Sequence, residues 1–150
     1  MKKISLSGIW TLKGKPQDSM EEPISLSAQV PGCVQLDLSA AGLLPSDLLV
    51  GENILEAEKY EHHEWWYERT FASPEEKENV YLVFEGVDCL AEYYLNGIKL
   101  GESDNMFISH EFRIDDYLED GENTLTVHLR SAILAADTED YPIRLLRSLN

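Results

Sequence analysis

Three stretches of the chain bring together residue types that could do chemistry. His62-His63-Glu64 suggests a metal site. A helical zinc-protease pair needs a second histidine four residues after the first, and those places hold Trp66 and Tyr67. The two histidines therefore read as exposed residues in an acidic loop entering a strand. Asp116-Tyr117-Leu118-Glu119-Asp120-Gly121 suggests a calcium loop. With Gly121 at the sixth place, Leu118 and Val127 occupy positions that require oxygen ligands, so the EF-hand reading fails. A looser calcium site on backbone carbonyls and one carboxylate stays open. No Gly-x-Ser-x-Gly elbow, cysteine–histidine pair or glycine-rich phosphate loop is present.

Carboxylates are plentiful. Residues 52–78 carry nine acids against three bases, and residues 102–122 carry eight against Arg113. Glycoside hydrolysis needs two carboxylates at a set separation, one with a raised pKa. Sequence alone does not select that pair, so no catalytic residue is assigned. Trp65-Trp66-Tyr67 is more informative. In a strand, consecutive side chains point to opposite faces. One tryptophan is then core, and the other is exposed or covered by something else. A flat indole with an N–H suits the apolar face of a sugar ring, and it suits a domain interface equally well.

These groups must be positioned by strands. Period-two alternation runs through Ile4, Leu6, Trp10 and Leu12, and again through Ile24 to Val30 before Pro31-Gly32. It recurs at Trp65 to Phe71, Val80 to Phe84, Ile108 to Ile114 and Leu125 to Leu129. Asn96-Gly97 between Tyr93-Tyr94-Leu95 and Ile98-Lys99-Leu100 is a hairpin signal, because a type I′ turn needs positive φ at both central residues. Helix is expected only over Val34–Ala41, stopped by Gly42, with a single turn at Asp115–Glu119 and a weak helix or loop over 132–141. Seven or eight short strands with turns between them predict an all-β, jelly-roll-like sandwich. The predicted domain spans residues 1–131, with a C-terminal segment over 132–150.

A chain of 150 residues buries roughly 70% of its unfolded surface and folds without metal or disulfides. Its net charge of −16 excludes the electrostatics of a nucleic-acid binder and argues against an anionic membrane surface. Cys33 and Cys89 read as reduced, buried thiols. No apolar run follows Lys2-Lys3, nothing approaches the ~18 apolar residues of a span, and there is no Asn-x-Ser/Thr acceptor, so the chain reads as cytoplasmic. No cofactor or metal is expected.

Several strings, in order, resemble family 2 glycoside hydrolases, closest to their β-mannosidase branch. Leu6-Ser7-Gly8-Ile9-Trp10 is similar to the "L-x-G-x-W" opening. Val30-Pro31-Gly32, Asp37-Leu38, Ala41-Gly42-Leu43-Leu44-Pro45 and Gly51-Glu52-Asn53 resemble the β-mannosidase run. Trp65 to Phe71, Phe84-Glu85-Gly86-Val87-Asp88, Tyr94-Leu95-Asn96-Gly97, Phe112-Arg113-Ile114 and Gly121-Glu122-Asn123-Thr124-Leu125 complete the resemblance over residues 4 to about 131. The sequence departs from the pattern at Cys89-Leu90 and at Glu102-Ser103-Asp104-Asn105.

The resemblance implies an N-terminal, galactose-binding-like jelly-roll beside a downstream TIM barrel that carries the catalytic glutamates. The substrate class is a terminal β-mannoside, hydrolysed with retention, and the partners are the parent's downstream domains. Asn53 and Trp65 match positions near the rim of the sugar site. The resemblance also implies that one sheet lacks a late strand, supplied from beyond Asn150, so the fragment is expected to self-associate through an unpaired edge. Two other readings stay open: a stand-alone carbohydrate-binding module, and a structural domain whose acidic face docks a basic partner.

Overall fold

The strands assemble in the order that their apolar faces require. The computed structural model describes residues 2–138. The second half of the predicted C-terminal segment, and with it the Arg144–Asn150 end and any later strand, lies outside the described residues. The elements are β1 (Gly8–Pro16), β2 (Ile24–Val30), α1 (Val34–Ala40), a 3-10 helix (Asn53–Tyr60), β3 (His63–Ala72), β4 (Tyr81–Phe84), β5 (Ala91–Leu95), β6 (Ile98–Ser103), β7 (His110–Arg113), a 3-10 turn (Asp115–Tyr117), β8 (Glu122–Leu129) and α2 (Ala132–Thr138). Six strands form one antiparallel sheet in the order β2-β1-β3-β8-β5-β6, and β4 pairs with β7 in a second. This is the all-β sandwich that the alternation predicts.

One face of the large sheet carries two cores side by side. Trp10, Ala91, Tyr93, Leu95, Leu125 and Val127 pack with Leu82 of β4 and Ile114. Leu12, Ala28 and Trp65 pack with Leu38 of α1 and with Leu44 and Leu48 of the segment that follows it. Trp10 and Leu12 lie two apart on β1, so both cores lie under the same face. The small sheet covers one half of that face, and α1 with the chain to Tyr60 covers the other.

Two local signals act as predicted. Asn96 and Gly97 have φ of 51° and 79°, and Leu95 faces Ile98 across the turn. At the end of α1, Gly42 takes φ +76°. Its N–H bonds Ser39 O and that of Leu43 bonds Leu38 O, which closes the helix as a Schellman motif.

Two expectations need correcting: neither cysteine is buried, Cys33 being exposed and Cys89 half-buried, and the first strand starts later than its alternation suggests. Ile4 and Leu6 share the parity of Trp10, yet β1 begins only at Gly8. Gly8 has φ +126°, outside strand geometry, and turns the preceding segment away. Leu6 still serves the core, because its carbonyl accepts the Trp10 indole N–H at 2.8 Å. Ile4 is left exposed.

Candidate functional site

The two residues that the resemblance marks sit on adjoining elements. Asn53 opens the 3-10 helix, and its amide nitrogen donates to Asp47 Oδ1 at 3.0 Å and to Asp47 O at 3.2 Å. Its amide oxygen has no hydrogen-bond partner among the described residues. Trp65 is different: it is 7% exposed and belongs to the core beneath α1. Its ring lies against Gly14, where any side chain would collide with it. On its other side it stacks with His63, with centroids 5.5 Å apart and planes at 21°, and Tyr60 lies 6.1 Å away. Tyr60 and His63 make an edge contact at 5.1 Å. Tyr60, His63 and Trp65 thus form a chain of rings leading from the core to the start of β3. No hydrogen bond or ring contact joins Asn53 to Trp65 among the described residues.

The expectation of two exposed histidines holds for His62 alone. His63 is half-buried by its stacking, and that burial lowers its pKa, aided by His62 and opposed by Glu21. Its Nδ1 is buried without a partner. Nearby, Ser131 Oγ donates to Glu61 O at 2.6 Å and accepts the Leu134 N–H, tying the start of α2 to the end of the 3-10 helix.

Asp37, quoted above only as part of a motif, has a structural role. It is 5% exposed, accepts the Gln29 N–H at 2.9 Å, and accepts the Tyr67 hydroxyl at 3.4 Å. Burial and the adjacent Asp37 carboxylate push the Tyr67 pKa up, so its hydroxyl remains a donor.

Sequence reasoning missed a polar network on the outer face of the large sheet. Cross-strand register sets Lys13, Trp66, His128, Glu92 and Glu102 in one row across β1, β3, β8, β5 and β6. Trp66 stacks flat on His128, with centroids 4.7 Å apart and planes at 2°. It is therefore the covered tryptophan, and its cover comes from a neighbouring strand. Glu92 Oε2 accepts the Tyr94 hydroxyl at 2.8 Å and meets His128 Nδ1 at 3.1 Å, while Oε1 accepts Lys99 Nζ at 3.0 Å. Alternation signalled which residues share this face, but only the register decides which of them touch.

Burial raises the Glu92 pKa, but the hydrogen bonds from Lys99, Tyr94 and His128 together outweigh it and leave the carboxyl at about 2. Asp115 falls to about 2 as well, chiefly through Arg113, with help from the Val80 and Asn79 N–H groups. A carboxylate with a depressed folded pKa contributes stability that is present above its unfolded value and lost as pH falls through the folded one. Circular-dichroism melts are therefore expected to show falling stability between about pH 4.5 and pH 2, less steep in Glu92→Gln. An identical acid slope in that variant would contradict this.

Among the described residues no group of three or more His, Cys, Asp or Glu is placed to hold a metal ion. An open recess of about 320 Å³ at the end of the network is lined by Leu90, Ala91, Glu92, Glu102, Ser103, Asp104 and Arg130. Its walls are mostly polar, unlike the largely apolar lining of a dedicated small-molecule site.

The sandwich and the order of the motifs converge with a family-level match. The Glycosyl hydrolase 2 galactose-binding domain-like family model matches residues 10–144. The chain belongs to this family. A solved β-D-mannosidase from Dictyoglomus thermophilum is 42% identical, with a TM-score of 0.80, over 95% of this chain and 18% of that one. β-Mannosidase B of Emericella nidulans is 35% identical over 134 residues, 87% of this chain and 16% of its own length. A β-D-glucuronidase from Dictyoglomus thermophilum, 17% identical with a TM-score of 0.56, shares the fold alone. The chain is thus a galactose-binding-like, all-β jelly-roll domain of β-mannosidase-like glycosyl hydrolase family 2 proteins, and it spans less than a fifth of the length of these relatives.

Proposed function

We propose that this chain is the N-terminal, non-catalytic domain of a retaining exo-β-mannosidase, where it shapes the rim of the pocket that admits one terminal β-mannosyl unit. The observation that carries this reading is the 42% identity to a β-mannosidase sustained over 95% of the chain, against 17% and 26% to two glucuronidases of the same fold. In this reading the catalytic glutamates lie on the parent's barrel. Asn53 offers its free amide oxygen to the sugar. Trp65, being buried, acts by holding His63 and Tyr60 in place behind that rim.

The test pairs the 150-residue chain with the complete gene product on an aryl β-mannoside. The domain alone is expected to show no turnover above a mock purification. In the complete protein, Asn53→Ala is expected to raise KM by about tenfold, the loss of one hydrogen bond to a bound polar group, with little change in kcat. Turnover by the isolated domain, or an unchanged KM, would count against the proposal.

The same reading covers self-association of the fragment. The second sheet has two strands among the described residues, and unpaired strand edges invite pairing with another copy. Light scattering is expected to show mass above the monomer, rising with salt as the net charge of −16 is screened. A strictly monomeric profile at all salt concentrations would refute it. Cytoplasmic location remains part of the proposal, and fractionation of the source cells checks it.

A further inference from the structure

We infer that Asp47 is a positioning residue for the sugar rim: it holds the Asn53 side chain so that the amide oxygen, and not the nitrogen, is presented to the substrate. The inference deepens the reading of Asn53 as a rim residue and rests on it. Asn53 Nδ2 donates to Asp47 Oδ1 at 3.0 Å and to Asp47 O at 3.2 Å. Both receiving atoms are acceptors, a carboxylate oxygen and a carbonyl oxygen. Turning the amide over would set its oxygen against both of them, so chemistry rather than shape fixes which end is tied down.

The acceptor is itself held. Leu48, next in the chain, is buried in the core that also contains Leu44 and Leu38 of α1. Asp47 O also accepts the Val50 N–H at 2.9 Å, and the Asn53 N–H bonds Val50 O at 3.3 Å. Beyond Asn53, Ala57 and Tyr60 pack against the same core. Donor and acceptor thus sit six positions apart on one short hydrogen-bonded segment, anchored on both sides, which lowers the entropy lost in bringing them together.

The consequence is selectivity in what the rim accepts. An amide oxygen takes only a hydrogen-bond donor, such as a sugar hydroxyl, whereas the freed nitrogen would take an acceptor instead. Without the Asp47 carboxylate, the staggered wells about χ1 and the two orientations of the amide give about six arrangements, of which one presents the oxygen as the native side chain does. Apparent affinity falls by the fraction of time spent in the competent arrangement. The Asp47 carbonyl still biases the amide, so the loss settles at about fivefold rather than the full factor. That is smaller than the effect of removing Asn53 itself, because the bond to the sugar still forms whenever the amide is correctly turned.

Steady-state kinetics of the complete gene product on an aryl β-mannoside test this. Asp47→Ala is expected to raise KM by about fivefold with little change in kcat. Asp47→Asn, which keeps an acceptor oxygen for the same N–H, is expected to hold KM within about twofold of the native value. In an Asn53→Ala background, Asp47→Ala is expected to add nothing, since no amide is left to orient. A purely structural Asp47 would act equally in both backgrounds, so equal effects overturn the inference. An unchanged KM in Asp47→Ala overturns it too, as does an Asp47→Asn variant no better than Asp47→Ala. Each of these results leaves the rim reading standing where Asn53→Ala alone raises KM. An unchanged KM in Asn53→Ala overturns the rim reading and this inference together.

Discussion

Trp65→Ala is expected to lower the stability of the domain by about 3–5 kcal/mol, the range for removing a large buried aromatic. Total stabilities of about 5–15 kcal/mol make that a large share. Thermal melts should show it as a drop of roughly 6–20 °C for a domain of this size. The reason is geometric. Trp65 packs with Leu12 and Leu38 in the core and lies against Gly14 and His63, so its removal leaves a cavity lined by strand and helix residues. Trp66→Ala, on the opposite face of the same strand, gives up a stacking partner at a half-buried site and should cost about 1 kcal/mol. A second variant separates packing from other effects. Gly14→Ala should be costly in the native protein, where its Cβ meets the Trp65 ring, and nearly neutral in the Trp65→Ala background. A Trp66→Ala loss larger than that of Trp65→Ala would overturn this assignment of the two tryptophans.

Asn123→Ala is expected to cost about 2–4 kcal/mol, because it strands several buried polar groups at once. Asn123 is fully buried. Its Oδ1 accepts the Glu119 N–H and the Asn96 Nδ2–H, each at 2.8 Å, and its own Nδ2 donates to Glu119 O at 3.2 Å. Asn96 in turn donates to Tyr117 O, and its Oδ1 accepts the Thr124 N–H. The pair joins the β5–β6 turn to the chain entering β8, so its loss should loosen both. Thr124→Ala, one residue on and exposed, should stay within about 0.5 kcal/mol. Urea denaturation of the two variants checks the contrast. A cost for Asn123→Ala no larger than that for Thr124→Ala would show that the network is not what holds this corner.

Asn123 also shows what could be read before folding and what could not. It was legible as part of a Gly-Glu-Asn-Thr-Leu string, but its partner Asn96, 27 residues earlier, was not. Local chemistry alone determines that Asn96-Gly97 turns the chain, since few residue pairs accept positive φ twice. Local chemistry also stops α1 at Gly42. Alternation determines that Trp65 and Trp66 part company across β3, and the order of motifs carries the family.

Tertiary structure decided the rest. Nothing in the period-two pattern states which tryptophan goes inward. That choice follows from Gly14 on β1, which leaves room for one indole, and from the register that places Trp65 opposite it. The row that brings Glu92, His128 and Trp66 together is likewise a product of pairing between strands distant in sequence. Side-chain parity is a property of one strand and is written locally. Contact is a property of two strands and waits for the register, which the burial of both apolar cores under one face selects.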